Sequence, residues 1–323
     1  MIMLLKRYKF VGLTFLILCV ALVAFWLTDF SYTIYGVSVD SEEAPNNIPL
    51  VAEYQSDQDY GAVVLMYHHI VTDEDFATNK YAGNNAVISI SQFREEMEYL
   101  SNNGYQTFLM SEAAGIMYNS LPFPTKSVII TFDDGYASNY TYAYPILKEY
   151  NLKATIAAVV ISSVTASQDG DVFQNIPHLT FAQMREMQES GLIEIGSHSY
   201  DGHGLISTNN YGGTGKYFVA RKYLSSEGRV ETEDEYKERI TQDLRYSKYV
   251  LESELNSNVI YFAYPYGVSD TDVQNALKQN NFLMATTTVK GSIKNNSNTL
   301  KLSRRNVDQN ITLEQFVALV NSR

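Results

Sequence analysis

The sequence predicts an α/β domain with a mostly parallel sheet over residues 61–323, preceded by a single N-terminal transmembrane helix. Three observations predict it. Short apolar runs alternate with helix-start signals from Gly61 onward. The region that carries them is about 260 residues long, the size of a (β/α) barrel. An uncharged apolar run of 18 residues, Phe10 to Leu27, lies near the N terminus.

As a helix that run would be about 27 Å long, close to the hydrocarbon thickness of a bilayer. Lys6, Arg7 and Lys9 precede it, which assigns residues 1–9 to the cytoplasmic side. It is long for the core of a cleaved signal peptide, and no clean small-x-small site follows, so it reads as an uncleaved anchor. Cys19, the single cysteine, lies inside it behind the bulky Leu18, so no internal disulfide forms and Cys19 reads as an ordinary apolar-segment residue. Residues 28–60 carry acidic side chains and no Lys or Arg, and with Pro45, Asn46, Asn47 and Pro49 they read as an extracellular spacer.

Within 61–323, Ala62–Tyr67, Ser127–Phe132, Ala154–Val160, Ile193–Gly196, Val259–Ala263 and Leu283–Thr287 read as short buried strands. Thr180 with Gln183, Thr232 with Glu235 and Thr312 with Gln315 fit capping boxes, and Gly191 marks the end of the helix that starts near Thr180. Residues 204–231, rich in glycine and aromatics, read as an insertion that serves either as a lid or as a surface excursion.

Composition narrows the function. The chain has 24 basic and 36 acidic residues, a formal charge of −12, which excludes a nucleic-acid binder that works by neutralising phosphates. Its 25 tyrosines suit a glycan ligand and suit Tyr-rich sheets and cores equally well.

Four segments carry chemistry-bearing side chains at strand ends. Thr131-Phe132-Asp133-Asp134-Gly135-Tyr136 ends an apolar run, and two adjacent carboxylates there could divide into a metal ligand and a base, although Asp-Gly alone is a common turn. Ser197-His198-Ser199-Tyr200-Asp201-Gly202-His203 follows another strand. Histidines five apart do not share a helix face, but a turn at Asp201-Gly202 lets them converge. An Asp with two His leaves one position of a tetrahedral metal open, the pattern of a catalytic site. Tyr261-Phe262-Ala263-Tyr264-Pro265-Tyr266-Gly267 reads as a sugar-site wall or as a plain turn. Met66-Tyr67-His68-His69-Ile70 ends the first strand, where only one of two vicinal histidines should face the site. His178 has no assigned role.

Together these segments resemble the polysaccharide deacetylase family, carbohydrate esterase family four, and within it the extracellular poly-N-acetylglucosamine deacetylase branch. TFDDGY, SHSYDGH and FAYPYG match three ordered motifs, and the likeness runs from VLMYHHI at residue 64 to LSRRNVDQNITLEQF ending at residue 316. The resemblance implies a distorted (β/α) barrel with its site at the C-terminal strand ends. It implies a divalent metal, most simply Zn2+, on Asp134, His198 and His203, with Asp133 as general base and the Tyr136 backbone N–H as an oxyanion donor. Tyr136, Tyr264, Pro265, Tyr266 and Arg304 are the implied substrate-binding set.

Two positions depart from the wider family. The Arg that usually orients the base is replaced at Ala263 or its neighbours, and Arg304 would take its place. No His follows His203, so the general acid would be His68, with His69 the fallback. The reaction expected is removal of N-acetyl groups from an extracellular or cell-wall amino-sugar polymer by a membrane-anchored enzyme. The alternatives are a catalytically silent glycan-binding protein on the same fold and an amidohydrolase of small N-acyl compounds.

Overall fold

The strands form where buried apolar runs are longest, and two of them keep the predicted bounds. The computed structural model describes residues 58–78, 80–169 and 176–322; the cytoplasmic tail, the anchor, Cys19 and nearly all of the spacer lie outside the described residues. Among the described residues no helix is long and apolar enough to cross a membrane. The sheet contains β1 (Ala62–Tyr67), β2 (Ser127–Phe132), β3 (Ala154–Val159), β4 (Ile193–Ser199), β5 (Tyr261–Ala263), β6 (Met284–Thr286) and β7 (Arg305–Asn306). They pair in the order β6-β5-β4-β3-β2-β1-β7, all parallel, with Gln106–Thr107 as an eighth short strand beside β2.

Every residue of β1, β2 and β3 is buried, as expected where both faces of a parallel sheet are covered. Alternate residues face opposite sides. Val63, Leu65, Tyr67, Val128, Ile130 and Phe132 join one core cluster with the surrounding helices. Ala62, Val64, Ile129 and Ala157 join the other, with Leu302 and residues of helix Met110–Tyr118. This second parity, continued past the strand ends, is the one on which His68 and Asp133 fall.

The sheet is curled, and one segment links its edges. Ala285 N donates to the Thr299 carbonyl (2.7 Å) and Thr287 N to the Leu302 carbonyl (2.9 Å), joining the segment to β6. Three residues after Leu302 the same chain becomes β7 and pairs with β1. Arg304 sits on this seam.

The helices start at the capping boxes read from the sequence. Thr180, Thr232 and Thr312 each accept from the backbone N–H three residues on, with the Gln or Glu side chain returning the bond. The helix Phe181–Glu189 stops at Ser190, and Gly191 follows at φ +71°. Four strands differ from the expected bounds: Ala154–Val159, Tyr261–Ala263 and Met284–Thr286 are each one or two residues shorter, and β4 runs on past Gly196 through Ser199, so His198 lies inside a strand.

A buried acid fastens the helix Ile90–Asn102 to β1. The Tyr67 hydroxyl donates to Glu96 Oε2 (2.9 Å) and Gln92 Nε2 donates to Glu96 Oε1 (3.0 Å). Burial pushes Glu96 up to about 7, against the opposing pull of those two bonds. An acid raised above its unfolded value holds more protons when folded, so its stabilising share is present at low pH and lost as pH climbs from about 4.5 through 7. Glu96→Gln should therefore gain stability relative to the parent between pH 5 and pH 8, by up to about 3 kcal/mol at 1.4 kcal/mol per pKa unit. Denaturant titrations of both proteins at the two pH values measure this, and a constant difference would refute it.

Candidate active site

The backbone after β2 separates two neighbouring carboxylates. Asp133 still follows the strand: its N–H donates to the Tyr67 carbonyl (2.9 Å), and its side chain keeps the inward parity of Thr131. Asp134 then turns into the left-handed region at φ +71°, and Gly135 follows at φ +73°. A Cβ at Gly135 would stand 2.9 Å from the Ala158 Cβ, so only glycine fits there. The turn read from Asp-Gly and the split of roles are one feature.

Asp133 is 2% exposed and meets Arg304, itself 1% exposed, in a two-pronged pair: Nη1 to Oδ1 at 2.6 Å and Nη2 to Oδ2 at 2.7 Å. Arg304 Nε donates to the Thr287 carbonyl (3.0 Å), which locks the guanidinium plane. Burial alone would raise Asp133, but the charges of Arg304, His198 and His68 outweigh it and hold the carboxyl well below the usual range. His68 Nε2 lies 4.0 Å from Asp133 Oδ2.

Asp134 faces the other way, toward both histidines. Its Oδ1 is 3.4 Å from His198 Nε2 and 3.3 Å from His203 Nε2, and it is buried with no hydrogen-bond partner among the described residues. His198 gets there by a bulge: Ala158 pairs with Ser197 and Val159 with Ser199, leaving His198 as the extra residue. His198 Nδ1 donates to the Ala263 carbonyl (2.8 Å), which leaves Nε2 as the lone-pair nitrogen facing Asp134.

His203 returns through the Asp201-Gly202 turn. The buried Asp243 carboxylate, from helix Glu233–Leu255, accepts from Tyr200 N (2.8 Å) and Asp201 N (2.9 Å) and so pins that turn. Sequence reasoning missed Asp243, because nothing in a helical carboxylate's local pattern says that it serves a loop some forty residues earlier.

The three donors fit a metal ion. A tetrahedral zinc with arms of about 2.0–2.2 Å separates its ligand atoms by roughly 3.3–3.6 Å. Two of the three separations here match, and all three atoms lie within 4.8 Å of one another. A buried carboxylate oxygen with no donor is also what a cation site requires.

The remaining candidates divide. Tyr266, 42% exposed and at φ +59°, lays its ring beside His203 (4.9 Å) and forms a wall. Lys216, from the 204–231 insertion, reaches over that ring at 5.2 Å. The insertion folds as two short hairpins held down by Arg239, which donates to the Tyr217 and Ala220 carbonyls and pairs with Glu231.

Three members of the expected substrate-binding set are corrected. Tyr264 is fully buried with its hydroxyl on the Leu300 carbonyl (2.8 Å), and Pro265 is buried beneath it; neither lines a groove. Arg304 is sealed under Asp133 and presents no donor to a groove. The Tyr136 backbone N–H donates to no backbone group among the described residues, and its hydroxyl bonds to Asp134. His69 points away from Asp133, with Nδ1 on Ser138 Oγ (2.9 Å), and burial lowers it to about 4. His178 packs on Tyr136 with ring centroids 5.0 Å apart.

Comparisons with known proteins find the chain similar to polysaccharide deacetylases. Residues 120–285 match the family model described as polysaccharide deacetylase. The poly-beta-1,6-N-acetyl-D-glucosamine N-deacetylase of Escherichia coli K12 is 30% identical over 262 residues, covering 79% of this chain and 38% of that protein. The protein of the same name from Staphylococcus epidermidis is 28% identical over 197 residues, covering 61% of this chain and 59% of that one. The chain thus spans well under two thirds of both relatives. A solved de-N-acetylase from Aggregatibacter actinomycetemcomitans superposes with a TM-score of 0.70 at 27% identity, over 80% of this chain and 99% of that one.

Zinc uptake tests the triad. The purified protein should bind one equivalent after dialysis, and His198→Ala or His203→Ala should lose it. Asp243→Asn should weaken affinity by about 10–100-fold through the loosened turn, and His178→Ala should change nothing. Stoichiometric zinc in the His203→Ala protein would dismiss the triad.

Proposed function

We propose that the chain, which belongs to the polysaccharide deacetylase family, is a metal-dependent N-deacetylase of an amino-sugar polymer of the poly-N-acetylglucosamine kind, built on that family's distorted barrel. The observation that carries this reading is the division between the adjacent carboxylates. Asp133 is locked by a buried arginine, and Asp134 is turned onto two histidines. The names of the curated relatives support the substrate class.

The residues fit an order of events. Asp134, His198 and His203 would hold a divalent ion, zinc by preference, which would supply Lewis acidity toward water and the acetamide carbonyl when bound. Asp133, next in sequence to Asp134 and facing His68, takes the proton of the attacking water. The arginine that fixes both its oxygens also makes it a weak base, so the proton does not rest there. His68, at 4.0 Å, is placed to protonate the departing sugar nitrogen. The water oxygen joins the carbonyl carbon, the carbon–nitrogen bond breaks, and acetate and a free amine leave. The Tyr136 N–H is available to the oxyanion, and Tyr266 offers a face to the sugar.

The same reading places the enzyme outside the cell. Residues 1–9 stay inside, 10–27 span the membrane and 28–60 form the spacer, since the apolar run carries its basic flank on one side only. Protease added to wall-stripped intact cells should release a soluble domain, and full protection of that domain would reverse the topology.

For the chemistry, the zinc-loaded protein should release acetate from N-acetylglucosamine oligomers, read by mass spectrometry. His68→Ala should keep its zinc and lose turnover by roughly 10²–10⁴-fold, with the alkaline limb of the rate profile altered. Near-parental turnover per zinc-loaded molecule would remove His68 from the mechanism.

A further inference from the structure

We infer that Asn139, assisted by Ser138, is a positioning residue for His68. The inference rests on the reading of His68 as the proton donor. Both residues follow the Asp133-Asp134-Gly135-Tyr136 turn, and Asn139 begins a π-helical turn, Asn139–Ala143, an uncommon geometry often found beside functional sites. Asn139 is 1% exposed and Ser138 6% exposed.

Each grips one half of the vicinal histidine pair. Asn139 Nδ2 donates to the His68 carbonyl (2.8 Å). Ser138 Oγ bonds His69 Nδ1 (2.9 Å) and accepts from Ile70 N (3.2 Å). Adjacent side chains in extended backbone face opposite ways, so fixing the His69 ring on the outer side and the His68 carbonyl from the loop leaves the His68 ring aimed at Asp133. The segment that supplies the base therefore also sets the acid.

His68 Nδ1 and Asn139 Oδ1 are both buried without a hydrogen-bond partner among the described residues, so the clamp acts through the His68 carbonyl rather than the ring nitrogen. The ring held in this way faces Asp133 and, behind it, Arg304, while the His69 ring is tied off on Ser138.

The test uses the zinc-loaded full chain on N-acetylglucosamine oligomers. Asn139→Ala should keep its zinc and melting temperature and lose kcat by about 10–100-fold with KM within about threefold. Parental kcat, a loss carried by KM alone, or a loss that only tracks folded or zinc-loaded fraction overturns the assignment. Should Asn139→Ala fail to fold, Ser138→Ala decides in its place: a kcat loss of about threefold or more at unchanged KM supports the clamp, and a smaller change overturns it. A zinc-loaded parent protein inactive on every oligomer would instead overturn the deacetylase reading itself.

Discussion

The buried pair between Arg304 and Asp133 is the constraint on which the rest of the structure depends. Neither charge is tolerable alone in a dry interior, and breaking such a pair by removing one partner typically costs about 3–5 kcal/mol. The pair also crosses the fold. Asp133 stands at the end of β2, and Arg304 sits on the segment that hydrogen-bonds β6 on one side and becomes β7 beside β1 on the other. The interaction that orients the candidate base thus also fastens the seam of the sheet.

Around that pair, backbone irregularities do the aiming. A parallel sheet by itself can only alternate side chains in and out. Asp134 escapes alternation by entering the left-handed region, His198 by occupying a bulge, and Tyr266 by a second left-handed pair with Gly267. Each departure sits at the same end of the sheet, and each is followed by a glycine or fixed by a hydrogen bond from a neighbouring strand. These three departures bring together groups from β2, β4 and the loop after β5.

Much of this was legible. Buried strands announce themselves as apolar runs, and β1 and β2 keep the bounds read from the sequence because both faces of each are covered. Capping boxes are local chemistry, so Thr180, Thr232 and Thr312 were readable as starts. Asp133, Asp134, His198 and His203 stood out because their residue types are costly at strand ends unless used. What was hidden is what distance in sequence hides. Arg304 was expected beside the base through the resemblance, but it lies 171 positions from Asp133 and its motif does not distinguish a groove-facing guanidinium from a sealed one. Asp243 looks like any helical acid. Tyr264 and Tyr266, two apart, would share a face in a strand, and only the left-handed turn at Tyr266 sends one into the core and the other to the surface.

The deeper point concerns two chemically identical carboxylates, joined by one peptide bond, that do different work. Asp133 has both oxygens saturated by a guanidinium, so its charge is cancelled where it stands and it offers a further cation little. Asp134 has an oxygen with no donor at all, facing two imidazole nitrogens, one of which is held as an acceptor by the Ala263 carbonyl. With the His203 Nε2 also free of its proton, three acceptors would converge there and repel one another unless a cation is shared. On the proposed reading, the protein supplies its own cation, the Arg304 guanidinium, to the first carboxylate and leaves the second to a metal ion. Exchange the partners and the site inverts, because an arginine on Asp134 would exclude a metal and an unpaired Asp133 would compete for it. Which of the two serves as ligand is therefore decided by the seam residue Arg304, together with the single left-handed turn that keeps its guanidinium from reaching both.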